Sequence, residues 1–248
     1  MAEAASITIV EDGPYVVRGG VPLSEDAIVA APEGSHLQYN RVRDHEVHEE
    51  YHLCRCGASH HKPFCDGAHE AAGFDGTETA SRAPFAERAD AYGGPELRLL
   101  DDNRCAFARL CHRQGSDVWD LTETADNEEQ AQQAVAASWH CPTGRLEHHD
   151  RATGEVCEQG FEPSLVILQD PQEHASGPVF VRGGIPLVGA DGHEYEQRNR
   201  YALCRCGSST NKPFCDAMHV TVGFDDGSAA LEGQWGERDE SFKKLPAL

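Results

Sequence analysis

Cys54-Arg-Cys56-Gly-Ala-Ser-His-His-Lys-Pro-Phe-Cys65-Asp-Gly-Ala-His69 returns later in the chain as Cys204-Arg-Cys206-Gly-Ser-Ser-Thr-Asn-Lys-Pro-Phe-Cys215-Asp-Ala-Met-His219. In both copies one residue separates the first two cysteines, a third cysteine follows after eight residues, and a histidine follows after three more. Thiolates together with a neutral imidazole bind zinc and iron–sulfur clusters. Each copy therefore predicts one metal centre with four ligands.

The shared pattern, C-x-C-x2-S-x3-P-x-C-D-x2-H, resembles that of the CDGSH family of iron–sulfur proteins. The resemblance implies that each motif holds a 2Fe–2S cluster through three cysteines and one histidine. An imidazole in place of one thiolate is expected to raise the reduction potential, and its protonation is expected to loosen the cluster. The implied ligands are Cys54, Cys56, Cys65 and His69 in the first copy, and Cys204, Cys206, Cys215 and His219 in the second.

Residues beside the ligands are expected to support the cluster. Asp66 and Asp216 are predicted to N-cap a short helix that carries the histidine at its third position. Ser59 and Ser209 are predicted to supply hydrogen bonds near the sulfides. In the second copy Ala217 replaces a glycine of the first, so the turn there must form without a residue that tolerates positive φ.

Zinc and disulfide bonds are the alternatives to a cluster. Three cysteines and a histidine also make a structural zinc site, although zinc sites usually separate paired cysteines by two residues or more. A disulfide framework is disfavoured, because Met1-Ala-Glu-Ala-Ala lacks the basic region and the apolar run of a secretory signal. We therefore expect reduced thiols and a cytoplasmic protein.

Four further cysteines lie between the two copies: Cys105, Cys111, Cys141 and Cys157. Cys105-Ala-Phe-Ala-Arg-Leu-Cys111, followed by Cys141-Pro142, resembles the pattern of mono-cluster bacterial ferredoxins, in which the residue midway between the first two cysteines decides the cluster type. That residue is Ala108, which cannot bind iron, so the resemblance implies a 3Fe–4S cluster on Cys105, Cys111 and Cys141. A 4Fe–4S cluster, completed by Cys157 or His112, and a structural domain without a cluster stay open.

The segment between the copies is predicted to be a small ferredoxin-like α+β domain. Residues 97–100 and 118–121 are predicted as short strands. Asp126-Asn-Glu-Glu129 is typical of a capping box and predicts an alanine-rich helix to about residue 137, and Pro142 predicts a turn. His148 is expected at the surface.

The repeat is wider than the metal motif. Gly13-Pro-Tyr-Val-Val-Arg-Gly-Gly-Val-Pro-Leu23 returns as Gly177-Pro-Val-Phe-Val-Arg-Gly-Gly-Ile-Pro-Leu187, and a predicted strand precedes each block, at residues 7–10 and 165–168. The offset between copies is 164 at this block and 150 at the ligands, so the first copy holds fourteen extra residues, expected between residues 28 and 50.

Together these patterns predict an α+β protein of three modules: CDGSH modules at residues 1–80 and 160–248, and a ferredoxin-like domain at residues 94–150. Residues 77–94 and 148–160 are expected as connections. Short CDGSH proteins are homodimers with a shared β-rich cap, so the resemblance implies an intrachain pseudo-dimer. We therefore expect a monomer with internal pseudo-twofold symmetry.

Charge and hydropathy restrict the partners. The 21 Lys and Arg against 42 Asp and Glu give a formal net charge of -21, which argues against nucleic acid. No segment approaches 18 uninterrupted apolar residues, so no membrane span is expected. The expected partner is a redox protein or an apo-protein that accepts clusters.

Two classes of function are compatible with the motifs. The first is a non-enzymatic iron–sulfur protein that transfers electrons, or stores and hands over 2Fe–2S clusters. The second is an oxidoreductase that reduces a small substrate at a cluster. The chain contains no nucleophile elbow, dinucleotide fingerprint or defensible pair of catalytic carboxylates, which favours the first class.

Overall fold

Short strands form most of the regular structure in the computed structural model, which describes residues 4–31, 37–113 and 115–232. The fold is mixed α+β, as the sequence predicts. We name the described residues up to 80 the first module, residues 81–159 the insert, and residues 160–232 the second module. Residues 233–248 of the predicted second module lie outside the described residues. Within the described part of the chain, no helix is long and apolar enough to cross a membrane.

The first module contains five strands and one short helix: β1 (Ser6–Ile9), β2 (Tyr15–Arg18), β3 (Leu23–Ala30), β4 (Leu37–His45), β5 (Glu50–Leu53) and α1 (Ala68–Ala72). The insert contains α2 (Phe85–Arg88), β6 (Asp90–Gly93), β7 (Leu97–Asp101), β8 (His112–Arg113), β9 (Ser116–Asp117), α3 (Val118–Thr124), α4 (Glu128–Trp139), β10 (Leu146–Asp150) and β11 (Val156–Cys157). The second module contains β12 (Ser164–Asp170), β13 (Ala175–Arg182), β14 (Leu187–Val188), β15 (Arg200–Leu203), α5 (Met218–Thr221) and a 3-10 turn at Ala229–Leu231.

The two modules exchange one strand. One sheet has the order β14-β1-β2-β5, and the other has the order β15-β13-β12-β3-β4. In the first sheet Leu187 of β14 lies opposite Ile7 in a parallel pair, and in the second Leu23 of β3 lies opposite Leu165. Because Leu23 and Leu187 end the same repeated block, each module gives the equivalent strand to its partner. This exchange is the expected intrachain pseudo-dimer.

One apolar core belongs to both modules, because side chains of both sheets pack together in it. The two metal-binding loops meet where Cys56 and Cys206 form an antiparallel bridge. A Cβ on Gly57 would lie 2.6 Å from the carbonyl oxygen of Cys206, and one on Gly207 would lie 2.5 Å from that of Cys56. Glycine is therefore required at both positions, where the two backbones touch.

The fourteen extra residues of the first module lie in the predicted segment, where β3 and β4 form a long hairpin; residues 32–36 are outside the described residues. The equivalent strand of the second module, β14, has only two residues. Because β4 is the edge strand of the second sheet, the hairpin widens that sheet on the side of the insert. Tyr39 of β4 donates a hydrogen bond to the carbonyl oxygen of His140 in the insert.

The insert has its own antiparallel sheet, in the order β11-β10-β7-β6. This sheet runs from residue 90 to residue 157, so β6 and β11 lie in segments that were expected as connections. The predicted strand at residues 97–100 is β7. The predicted strand at residues 118–121 is wrong: the side chain of Asp117 accepts hydrogen bonds from the amides of Trp119 and Asp120, which starts helix α3.

Two further expectations about the insert need correction. The capping box of α4 lies one residue later than predicted: Asn127 accepts from the Gln130 amide at 3.1 Å, and Gln130 accepts from the Asp126 amide at 3.0 Å. His148 is fully buried, with Nε2 at 2.7 Å from Thr122 Oγ1 and Nδ1 at 3.0 Å from Ser138 Oγ. Two hydroxyl groups satisfy its ring nitrogens, which allows a histidine to be buried.

Candidate metal centres

The four predicted ligands of each copy lie in two pairs. In the first module, Cys54 Sγ lies 3.6 Å from Cys56 Sγ, and Cys65 Sγ lies 3.5 Å from His69 Nδ1. In the second, the corresponding distances are 3.7 Å between Cys204 and Cys206 and 3.4 Å between Cys215 and His219. Two ligands of one tetrahedral metal ion are about 3.5–3.8 Å apart when metal–ligand bonds are about 2.0–2.3 Å long. Each pair is therefore spaced to share one metal ion.

The pairs do not merge into one four-ligand point. Among the described residues, no group of three or more Cys, His, Asp or Glu side chains is arranged to hold a single ion. A mononuclear zinc site needs all four ligands around one centre. Two separate pairs fit a binuclear group, in which each iron takes two protein ligands.

The chemistry of the thiols also fits an iron–sulfur group. All ten cysteines are free, and burial raises the pKa of Cys65 and Cys215. A metal-bound thiolate replaces such a buried neutral thiol, because metal binding displaces the proton. Backbone amides already point at two sulfurs: Ala58 N lies 3.4 Å from Cys56 Sγ, and Gly67 N lies 3.5 Å from Cys65 Sγ.

Asp66 and Asp216 do not act as the predicted N-caps. The N-cap residues are Gly67 and Ala217, and neither helix has a side-chain cap. Instead, each aspartate ties the loop to the helix: Asp66 accepts from the amides of His60 at 2.8 Å and Ala68 at 3.0 Å. These hydrogen bonds hold the pKa of the Asp66 carboxyl well below its usual range. Asp216 accepts in the same way from Thr210 and Met218.

Ala217 adopts the conformation that was expected to need glycine. Its φ of 69° matches the 86° of Gly67, so both turns are left-handed. A non-glycine residue in this region pays roughly 1–2 kcal/mol in steric strain. The second loop therefore keeps the shape of the first at a small cost in stability.

The hydroxyl groups of Ser59 and Ser209 stabilise the loop. Ser59 donates to the carbonyl oxygen of Phe64 at 2.7 Å and accepts from the amide of His61 at 3.0 Å. Ser209 makes the same two contacts, with Phe214 and Asn211. A hydroxyl has one proton to donate, so neither side chain retains a donor for the cluster. A hydrogen bond from Cys206 and, after it, hydrogen bonds from backbone amides that include Ser209 lower the pKa of Cys204, so the backbone of Ser209 does donate to a cluster ligand, as predicted.

The arginine between the paired cysteines is a residue that the motif analysis missed. Arg55 is 2% exposed and donates to the carbonyl oxygens of Val10, Gly13 and Gly76. Arg205 is 3% exposed and donates to Gly177 and Leu168 and to the Asp226 carboxylate. Each arginine thus joins its ligand pair to distant parts of the module. Its recurrence in both copies was the only signal in the sequence.

A family model described as iron-binding zinc finger, CDGSH type, matches residues 12–70 and 176–220. Each match contains one complete set of three cysteines and one histidine. The chain carries two CDGSH domains. Such domains bind iron–sulfur clusters, so the first and second modules are iron–sulfur-binding units. Comparisons with curated proteins and with solved structures gave no significant match.

Between the CDGSH domains, the insert brings three of its cysteines together. Burial, followed by the nearby thiols of Cys141 and Cys105, raises the pKa of Cys111. Burial also raises the pKa of Cys141, and Cys105 adds to that effect. Phe107 N lies 3.3 Å from Cys105 Sγ, which repeats the amide-to-sulfur contact of the CDGSH loops. These are the three thiols that the ferredoxin-like pattern selects.

A buried and fixed cationic side chain, Arg145, acts on this thiol group. Arg145 donates to the Asp101 carboxylate at 2.6 Å and 2.5 Å. Burial lowers the pKa of Arg145, but Asp101 outweighs it, and Cys105 and Cys141 add to the resulting rise. A permanent cation beside three thiols favours their thiolate form.

The candidate fourth ligands, Cys157 and His112, show no electrostatic coupling to the three thiols. Ala108 is buried against Ile28 and Leu37 of the β3–β4 hairpin. Cys157 is on β11, where burial raises the pKa of its thiol and the other charges acting on it are acidic side chains, not the three thiols. The pKa of His112 is lowered by burial, and the groups that act on it include no cysteine.

The insert lies directly on the second CDGSH site. Ala106, beside Cys105, packs against Ala202 and Cys215. The Arg104 guanidinium lies 4.2 Å from the ring centre of Phe214. Cys215 and His219 are each 3% exposed, whereas Cys65 and His69 of the first domain are only partly buried. The two CDGSH sites thus differ in solvent access.

Proposed function

We propose that this protein is a cytoplasmic multi-cluster iron–sulfur protein that transfers electrons and hands over 2Fe–2S clusters. The observation that carries the proposal is the pairing of ligands, two for each iron, in both CDGSH domains. The proposed ligands of the two 2Fe–2S clusters are Cys54, Cys56, Cys65 and His69, and Cys204, Cys206, Cys215 and His219. A cluster bound there would accept and return one electron.

The residues around these ligands prepare the sites before any cluster binds. Arg55 and Arg205 fix the backbone between the paired cysteines. Asp66 and Asp216 fix the loop that carries the third cysteine. Rigid surroundings reduce the reorganisation that accompanies gain or loss of an electron, which suits an electron carrier.

For the insert we propose a 3Fe–4S cluster on Cys105, Cys111 and Cys141. The three thiols act on one another's pKa, and Arg145 supplies a positive charge beside them. The residue at the position of a fourth ligand, Ala108, is apolar and belongs to a packed cluster. A 4Fe–4S cluster would require a ligand from outside this group.

The proposed partner is a basic redox protein or an apo-protein that accepts clusters. The net charge of -21 supports a positively charged partner, because opposite charges accelerate encounter. The exchange of β3 and β14 supports a monomer, since the chain completes by itself a cap that two chains would otherwise share.

Reduction of a small substrate is the second candidate. A cavity of about 650 Å³ between the insert and the second domain is lined by Arg104, Cys105 and Asp216, among others. A molecule in this cavity would contact Cys105, a proposed ligand of the insert cluster, and Asp216, which follows the proposed ligand Cys215 in the chain. Steady-state reduction of small oxidants at rates far above those of a simple electron carrier would favour this candidate.

Electron paramagnetic resonance of protein purified without oxygen tests the proposal. A 3Fe–4S cluster is paramagnetic when oxidised, so the untreated protein should give a signal that Cys141→Ala abolishes and Cys157→Ala leaves unchanged. Reduction should remove this signal, because a reduced 3Fe–4S cluster has integer spin, and should produce the signals of two 2Fe–2S clusters. A diamagnetic oxidised protein, or loss of the signal in Cys157→Ala, would contradict the proposed insert cluster.

A further inference from the structure

Equivalent residues of the two cluster loops differ in burial around the pair formed by the third cysteine and the histidine, which we name the outer pair and whose iron we name the outer iron. Phe214, Cys215 and His219 are 7%, 3% and 3% exposed, and their counterparts Phe64, Cys65 and His69 are partly exposed. Because the two loops share their sequence pattern and their turn conformation, the difference arises from what covers them.

The cover over the second site is the loop of the insert that carries Cys105. Ala106 fills the space against Cys215, and Arg104 covers the ring of Phe214. His219 is 3% exposed, so both ligands of the outer pair of the second domain are shielded from solvent.

Buried ionic contacts fix the cover. Arg109 forms two hydrogen bonds with Asp170 of β12, at 2.7 Å and 2.9 Å. Arg200 of β15 donates to the carbonyl oxygens of Ser138, Cys141 and Leu146 in the insert. Because separating such a buried ion pair leaves uncompensated buried charges, the cover opens rarely.

The first domain adds further support to the second loop. Tyr15 Oη lies 2.8 Å from the carbonyl oxygen of Cys204, and the amides of Thr79 and Ala80 both donate to that of Lys212. In the first loop, Val179 stands where the tyrosine would, and no hydrogen bond among the described residues reaches the carbonyl oxygen of Lys62. Apart from the Cys56–Cys206 bridge that the loops share, the hydrogen bonds between a loop and the other domain that the described residues show all reach the second loop.

We infer that the two CDGSH sites have separate tasks: the first releases its cluster to an acceptor, and the second retains its cluster beneath the insert for electron exchange with the insert. This inference rests on the proposed function and extends it, because it assigns cluster transfer and electron transfer to different domains of one chain. Solvent access to the outer iron ligands decides which task each domain performs.

Site-resolved release from the loaded protein tests this division. The holoprotein is incubated with an iron chelator, or with an apo 2Fe–2S ferredoxin as acceptor, and freed thiols are alkylated and located by mass spectrometry. We expect Cys54, Cys56 and Cys65 to become alkylated at least about tenfold faster than Cys204, Cys206 and Cys215, because release from the second site requires the cover to open. The acceptor should gain one cluster for each chain.

Asp170→Asn removes the carboxylate that anchors Arg109 and should accelerate alkylation of Cys215 while leaving Cys65 unchanged. Glu173→Gln is the matched control, because Glu173 also contacts Arg109, at 3.3 Å, but is 32% exposed; it should leave both rates unchanged. Should Asp170→Asn fail to fold, Arg104→Gln offers a second way to weaken the cover.

Equal release from both sites, or earlier release from the second, would overturn the inference while leaving the proposed function intact. An unchanged alkylation rate at Cys215 in folded Asp170→Asn and Arg104→Gln proteins would also overturn it. If the proposed function is wrong, the result differs, because a chain without iron and sulfide would show all six thiols alkylated before any chelator is added.

Discussion

Gly76 and Asp226 occupy equivalent positions of the two CDGSH domains, and only Asp226 places a carboxylate on the arginine between the paired ligands. Asp226 Oδ2 lies 2.6 Å from Nη1 of Arg205. In the first domain Arg55 donates to the carbonyl oxygen of Gly76 and forms no ion pair with any described residue, although the exposed Asp75 is near enough for Arg55 to affect its pKa. One buried positive charge is neutralised and the other is not.

This difference predicts the order of the two potentials. Burial raises the pKa of Asp226, but the Arg205 guanidinium lowers it to about 2, so the carboxylate is charged at neutral pH. A buried negative charge opposes the addition of an electron nearby. We expect the second domain to have the lower reduction potential, and Asp226→Asn to raise it in a redox titration followed by paramagnetic resonance.

Asp225→Asn is the control. Asp225 is exposed, and its replacement removes the same formal charge from the position next to Asp226. It should leave the potential of the second domain almost unchanged, since solvent screens an exposed charge. Equal shifts in the two variants would show that the Arg205–Asp226 contact does not set the potential.

Gly76 should tolerate no side chain. A Cβ built there lies 2.1 Å from Nη2 of Arg55 and 2.9 Å from Cζ. Gly76→Ala is therefore expected to destabilise the protein by about 1–3 kcal/mol, as overpacking does. The measurement is chemical denaturation, with Gly160→Ala as the control, because no atom lies within 4 Å of a Cβ at that glycine and its φ is not positive. Similar stability of the two variants would contradict the packing around Arg55.

The ligand spacing and the repeated block were sufficient to predict the α+β class, the strands β1, β7 and β12 and the two CDGSH domains. The sequence could not reveal how the modules differ. The burial of Cys215 and Phe214 depends on Ala106 and Arg104, which are more than a hundred residues away in the chain. The partners of Arg55 and Arg205 lie 21 to 45 residues away, and such contacts have no local pattern.

Two predictions about the insert were wrong because of hydrogen bonds to individual side chains. Val118-Trp-Asp-Leu121 has the composition of a strand, but Asp117 supplies an N-cap whose hydrogen bonds favour a helix. His148 stands in a polar stretch, yet Thr122 and Ser138 of two different helices meet its ring in the interior. In both cases hydrogen bonds outweigh hydrophobic pattern.

Ala217 offers a reciprocal test of the turn in the two loops. Ala217→Gly should stabilise the second domain by about 1 kcal/mol, because it relieves a left-handed alanine, and Gly67→Ala should destabilise the first by a similar amount. A Cβ at Gly67 meets no atom within 4 Å, so only the backbone conformation is tested. Thermal denaturation of both variants measures the effect, and changes of the same sign would contradict it.

The burial of His148 predicts that the protein loses stability in mild acid. Burial lowers the pKa of His148 to about 4 from its ordinary 6.5. The unfolded chain therefore binds the proton more readily. The stability that the buried neutral His148 contributes is complete above pH 6.5 and is lost as pH falls from 6.5 to 4. The full loss is about 3 kcal/mol. Denaturation of His148→Gln across this range should show a weaker pH dependence than the unaltered protein, and an equal slope would contradict the assignment.

The most direct test of whether the gathered thiols hold iron–sulfur clusters is to measure iron, acid-labile sulfide and zinc together on protein purified without oxygen. We expect two irons and two sulfides for each CDGSH domain, three irons and four sulfides for the insert, and no stoichiometric zinc. A colourless protein that contains zinc and lacks sulfide would contradict it.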